Sequence, residues 1–168
     1  MQGLMMNYPL TLNAILERAE RIHGRKEVVS RRPDRSIHRT TYADIASRIR
    51  KLAVALSALG VRPGDRVATL CWNQAEHLEL YFGVPALGTV IHTLNPRLQA
   101  SDLSYIVNHA DDKVIVVDET LLPVFESFQA SRVFAHVIVV GDGGQTPDGM
   151  LSYAVLVESA DADAFFFA

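Results

Sequence analysis

The chemistry this sequence offers rests on five polar side chains near the ends of apolar runs: Asn73, His92, Thr93, Asn95 and Arg97. Four of them fall in VIHTLNPRL (90–98), which opens on Val90-Ile91 and ends at Asn95-Pro96-Arg97-Leu98. Pro96 has no N–H and fixes φ, so a strand stops there, and Asn before Pro is a turn signal. A strand that starts as core and ends in His, Thr, Asn and Arg places hydrogen-bonding and charged groups where a ligand crevice would lie. Each residue also has a purely structural reading. Asn73, with Glu76, caps a helix; Asn95 shapes a turn; His92 hydrogen-bonds to backbone.

Other chemistry is missing by pattern. Neither GxxxxGK[ST] nor GxGxxG occurs, and Gly141, Gly143 and Gly144 read as turn residues. The six histidines, at 23, 38, 77, 92, 109 and 136, have no metal-ligand spacing. Cys71 has no CxxC partner and reads as packing. Glu76 and Glu79, beside His77, read as helix-dipole partners instead of an acid/base pair.

The elements that must position these residues follow from periodicity. Leu12, Ile15, Leu16, Ala19 and Ile22 share a helical face, with Thr11 as the expected cap and Gly24 as the stop. Two short β segments around Pro33-Asp34 predict a hairpin. Thr41 with Asp44 predicts a capping box for a helix through Leu59, with Gly60 left-handed after it and a turn at Pro63-Gly64. Strands are expected at 66–71, 89–94, 113–118 and 136–140. The helices between them would be capped by Asn73 and Ser101 or built from LLPVFESF, and Pro85 would kink or end the first. Strand starts 23 or 24 residues apart fit one strand plus one crossover helix. Runs such as Val114–Val117, apolar on both faces, belong in a parallel sheet covered on both sides. The predicted fold class is α/β: a doubly wound, mostly parallel sheet with helices on both faces, preceded by a helix and a short hairpin. It divides into 9–40 (helix plus hairpin), 41–140 (repeated βα units) and 141–168 (loop, short helix near Tyr153–Val157 and an aromatic tail).

Size and composition set bounds. A chain of 168 residues, 49% hydrophobic and 21% charged, is of ordinary globular type, and one this long buries roughly 70% of its unfolded surface. No apolar run predicts a transmembrane segment. The start, MQGLMMNYPLTL, lacks the pattern of a signal peptide, and a single cysteine forms no internal disulfide; both favour a cytoplasmic protein. Net charge is −3, unevenly spread. Residues 21–51 hold ten basic residues and three acids; residues 99–168 hold two basic residues and eleven acids. The arginines are not grouped with aromatics, so no nucleic-acid partner is expected.

The order of motifs adds a resemblance. Tyr42, Leu59 to Val61, Pro63 to Ala68 (PGDRVA), Asn73, Glu76, Gly88 to Val90 and Asn95 to Leu98 (NPRL) follow one another as in the N-terminal region of adenylate-forming enzymes. HTLNPRL is closer to the medium- and long-chain fatty-acyl-CoA ligases. The resemblance implies ATP-dependent activation of a fatty acid to an acyl-adenylate, then transfer to the CoA thiol. It implies ATP, Mg and CoA for the full-length enzyme and none bound by this chain. The family's phosphate loop, [ST]-[ST]-G-[ST]-[ST]-G-x-P-K, its ribose-binding acid and its catalytic Lys have no counterpart here. No catalytic residue or metal ligand is therefore assigned, and this chain is expected to be inactive alone. Its expected partners are the remainder of the enzyme or a second subunit, a homodimer included, which the basic segment 21–51 would face. The competing reading is a stand-alone dimerisation or ligand-binding module reusing the fold.

Overall fold

The computed structural model describes residues 11–141 and 146–165. Part of the glycine-rich loop (142–145), the end of the aromatic tail (166–168) and the first ten residues lie outside them.

Helix α1 (Leu12–His23) precedes an antiparallel hairpin, β1 (Glu27–Arg31) and β2 (Ile37–Thr41). Thr11 takes the expected N-cap position in extended backbone, but makes no side-chain cap bond. Arg35 supplies the left-handed residue of the hairpin turn, φ 72°. Helix α2 (Tyr42–Ala58) starts in the predicted capping box, in which Thr41 Oγ1 accepts from Asp44 N–H and the Asp44 carboxylate accepts from Thr41 N–H. It ends at Gly60, φ 82°, which accommodates the left-handed turn a side chain would resist.

Five strands then form one fully parallel sheet: β3 (Arg66–Leu70), β4 (Val90–Thr93), β5 (Val114–Asp118), β6 (His136–Val140) and β7 (Leu151–Ser152). Their spatial order is β4-β3-β5-β6-β7, so the winding direction reverses between β3 and β5. β7 was not visible in the sequence, because two residues carry no period. Between the strands run α3 (Ala75–Ala86), α4 (Ala100–Ala110) and α5 (Leu122–Glu126); α6 (Tyr153–Ser159) follows β7.

Two expected caps are corrected. Helix α3 begins after Gln74, not Asn73, and α4 begins after Gln99, which leaves Ser101 inside the helix. Neither start uses a side-chain cap bond. Pro85 sits in the last turn of α3, which ends one residue later at Ala86. The stretch LLPVFESF yields only a five-residue helix, with a 3-10 turn at Glu119–Leu121 before it.

Period-2 alternation in β5 divides the core. Val114 and Val116 pack with Leu52, Leu56, Leu80, Val84 and Val157 under α2, α3 and α6. Ile115 and Val117 pack with Leu103, Val107, Phe125 and Phe128 under α4 and α5. Helices thus cover both faces, as the sequence predicts. A third cluster, Leu16 with Ile45, Ala46 and Ile49, attaches α1 to α2.

Candidate functional site

In open α/β sheets ligands bind beyond the carboxyl ends of the strands, where the winding reverses. Here that place lies between the ends of β3 and β5, and it holds a crevice of about 420 Å³. Its walls come from the chain after β3 (Gln74, Glu76), after β5 (Asp118, Glu119, Thr120), the end of β6 (Val140, Gly141) and the hairpin tip (Pro33, Asp34).

Asp118 organises the floor. It is buried, and Gln74 Nε2 donates to its Oδ2 at 2.9 Å. Thr120 donates to Oδ1 from its N–H at 2.9 Å and its hydroxyl at 2.6 Å, and Trp72 Nε1 donates to Thr120 Oγ1 at 2.9 Å. The two strand ends are stitched together, and the carboxylate's acceptors are in use. A Cβ at Gly141 would run into the Glu119 carboxylate, so glycine there leaves room for that side chain.

The electrostatics of the crevice are one-sided. Asp34, Glu76, Asp118 and Glu119 line it, and none of its lining residues is Lys or Arg. A triphosphate would meet repulsion here in place of the cationic and backbone N–H cradle that phosphate recognition uses. The described residues contain no group of three or more His, Cys, Asp or Glu placed to hold a metal ion. The residues present therefore do not fit ATP.

The five sequence-predicted residues lie elsewhere. Thr93, Asn95 and Arg97 cluster at the end of β4, on the edge of the sheet. Asn95 Oδ1 accepts from Arg97 N–H at 3.0 Å and closes the turn around Pro96. Arg97 is exposed, and its guanidinium has no partner among the described residues. Asn73 is exposed after β3 and borders a small, mainly apolar hollow with Val28, Ser30, His77 and Tyr81. His92 is paired with a carboxylate and not with backbone: its Nδ1 lies 2.9 Å from both Asp112 oxygens. Burial pushes Asp112 above the ordinary 3.8, and His92 opposes that shift. None of the five lines the crevice.

The polar network that sequence reasoning missed is inside the helical layer. Glu79, read as a dipole partner, is buried; Arg48 Nε donates to its Oε1 at 2.6 Å and Tyr153 Oη to its Oε2 at 2.7 Å. Burial raises Glu79 above its ordinary 4.5, against the pull of Arg48 and Tyr153. The partners lie 31 and 74 residues away, so no local spacing announces them. Burial likewise pushes the Cys71 thiol far up, which fits packing and not nucleophilic attack.

The family model described as AMP-binding enzyme matches residues 16–163. The chain belongs to the AMP-binding enzyme family. It is 48% identical over 159 residues to a long-chain-fatty-acid–CoA ligase of Thermus thermophilus, covering 94% of this chain and 29% of that protein. It is 38% identical to a medium-chain-fatty-acid–CoA ligase of Ectopseudomonas oleovorans, covering 96% and 30%. The anthranilate CoA ligase AuaEII, solved in complex with anthranoyl-AMP, superposes with a TM-score of 0.76 at 26% identity, covering 89% of this chain and 27% of that one. As a member of the AMP-binding enzyme family, the chain spans about 30% of the length of these relatives.

Proposed function

We propose that this chain is the N-terminal portion of a fatty-acid–CoA ligase that activates a fatty acid with ATP to an acyl-adenylate and passes the acyl group to CoA. It supplies a platform of βα units, and the residues that grip ATP, Mg and CoA come from the rest of that enzyme. The observation that carries this reading is the carboxylate-lined crevice at the strand-order reversal, in a chain that spans about 30% of its relatives. Transition-state stabilisation in phosphoryl chemistry needs cations and aligned N–H donors, which these walls do not offer.

Asn73, Thr93, Asn95 and Arg97 stand at the carboxyl ends of β3 and β4, outside the crevice, where Arg97 is free to meet an anionic group supplied by the rest of the enzyme. His92 braces the edge strand through Asp112. The protein works in the cytoplasm, a reading its lone, buried Cys71 supports; among the described residues no helix is long and apolar enough to cross a membrane. The homodimer remains part of this proposal, resting on the opposite charge of residues 21–51 and 99–168.

A chimaera tests the reading. Residues 11–165 of this chain would replace the matched segment of the Thermus thermophilus ligase, and fatty-acid-dependent CoA ligation would be assayed. The expected result is an active chimaera whose rate falls on Arg97→Ala. A folded chimaera without ligase activity would contradict the proposal.

A further inference from the structure

The β1–β2 hairpin is the least supported element around the crevice. Its base is fixed: Tyr42 N–H donates to Lys26 O and Ala43 N–H to Gly24 O, both at 3.1 Å, and β2 runs straight into the capping box of α2. Beyond the base, Val28 and Ser30 turn toward the body, while Val29 and Ile37 are left in solvent at 52% and 55% exposure. Between the hairpin and α3 lies the apolar hollow of about 300 Å³, with Val28, Val29 and Ser30 on one wall and Asn73, His77, Leu78 and Tyr81 on the other. Packed protein leaves few gaps of that size, and a two-stranded ribbon is marginally stable without packing. The hairpin therefore has room to move toward α3. Its turn carries Arg35 at φ 72°, a left-handed conformation that a residue with a side chain adopts at a cost.

The tip of this hairpin and the crevice carry opposite charge. Arg31, Arg32 and Arg35 stand at the tip, with Asp34 as the acid among them. Pro33 and Asp34 already form one wall of the crevice, so the arginines belong to the segment that makes that wall. On the other side Glu76 and Glu119 line it beside the buried Asp118. Arg31 and Arg35 are exposed, and neither they nor Glu76 and Glu119 have an ion pair among the described residues. Opposite charges on two walls of one opening attract across it, and nothing else claims these four side chains.

We propose that the β1–β2 hairpin is a lid over the crevice. It pivots about its base, settles into the hollow against α3 and brings Arg31 and Arg35 onto Glu76 and Glu119. The structure holds the open position, with the crevice at about 420 Å³. In the closed position the carboxylates that make these walls repel anions are covered and neutralised. Hinges of this kind need only a few residues at an element's end to change φ and ψ, and the connection between α1 and β1 (24–26) is placed to do so. Lids are drawn from the weakly packed parts of a fold, as this ribbon is. The lid needs no partner, because tip, crevice and hollow all belong to this chain. It holds whether or not the chain is part of a ligase.

The test is a distance measurement on the 168-residue chain by double electron–electron resonance. Spin labels go on Ser36→Cys at the tip and Glu126→Cys on α5; both sites are exposed, and Cys71 is buried and takes no label. Two distances are expected at low salt. The shorter should vanish as salt approaches 1 M, where the screening length is about 3 Å. A chain that also carries Arg31→Gln and Arg35→Asn should show a ratio of short to long distances about tenfold lower, the joint effect of losing two exposed ion pairs. Asparagine tolerates the left-handed turn. Glu76→Gln with Glu119→Gln should lower the ratio as much from the other wall. Circular dichroism matching the parent is checked first in both variants. A single distance that salt does not change, a short population that grows with salt, or a ratio that either variant leaves unchanged would overturn the proposal.

Discussion

Tyr153 shows how much a single buried hydroxyl carries. Its side chain is fully enclosed and donates to the Glu79 carboxylate, which Arg48 holds from the other side. Burial pushes the phenol well above its ordinary value, so it remains a donor at any working pH. Tyr153→Phe keeps the packing and leaves a buried carboxylate oxygen short of a partner, a change that costs about 1–3 kcal/mol. Urea unfolding measures it, and a loss below a few tenths would show that the bond is not needed. His77 gives the pH dependence. Its Nε2 lies 3.0 Å from Thr69 Oγ1, and its Nδ1 is buried with no hydrogen-bond partner among the described residues. Burial holds the imidazole below its ordinary 6.5, a shift the Trp72 backbone only partly opposes. The unfolded chain therefore takes up a proton that the folded one resists. Stability is full above about pH 6.5 and falls as pH drops through that value. Thermal unfolding across this range should show the slope, and His77→Gln should flatten it. At this scale the sequence was least legible. The positions of Asn95 and Arg97 at a strand end were readable from Pro96, but the partners of Glu79 and His92 depend on which helices and strands become neighbours.

Elements were more legible, because most carry a period. The unbroken run Val114–Val117 announced a central strand, and Thr41 with Asp44 announced the start of α2. Local rules failed where several polar residues compete. Asn73, expected to cap α3, is passed over: the helix starts after Gln74, whose side chain donates to Asp118 instead of capping the helix. The contact of α2 with α3 depends on one glycine. A Cβ at Gly83 would stand 2.8 Å from Leu52 Cδ2 and 3.3 Å from its Cγ, and Leu52 is buried in the core. Gly83→Val should overpack this contact and cost about 2 kcal/mol or more, despite any gain in helix propensity. Guanidinium unfolding measures that loss; a stabilised variant would mean that the two helices separate easily.

The whole molecule is a sheet whose natural ligand position is present but carries the wrong charge for a nucleotide. Strand order and helix layers place the crevice between β3 and β5, and Asp34, Glu76, Asp118 and Glu119 fill its walls. The fold class could be read from strand spacing and apolar runs. Where the winding reverses could not, since it follows from long-range pairing of β5 with β3 in preference to β4. The lack of GxxxxGK[ST] and GxGxxG could be read from the glycine pattern, whereas the family's own phosphate loop entered only through the resemblance. On the proposed reading, this platform alone does not activate an acid. Fatty-acid-dependent exchange of labelled pyrophosphate into ATP, measured on the purified 168-residue chain, tests it most directly. The account predicts no exchange above the level without fatty acid; exchange that rises with added fatty acid and saturates would contradict it.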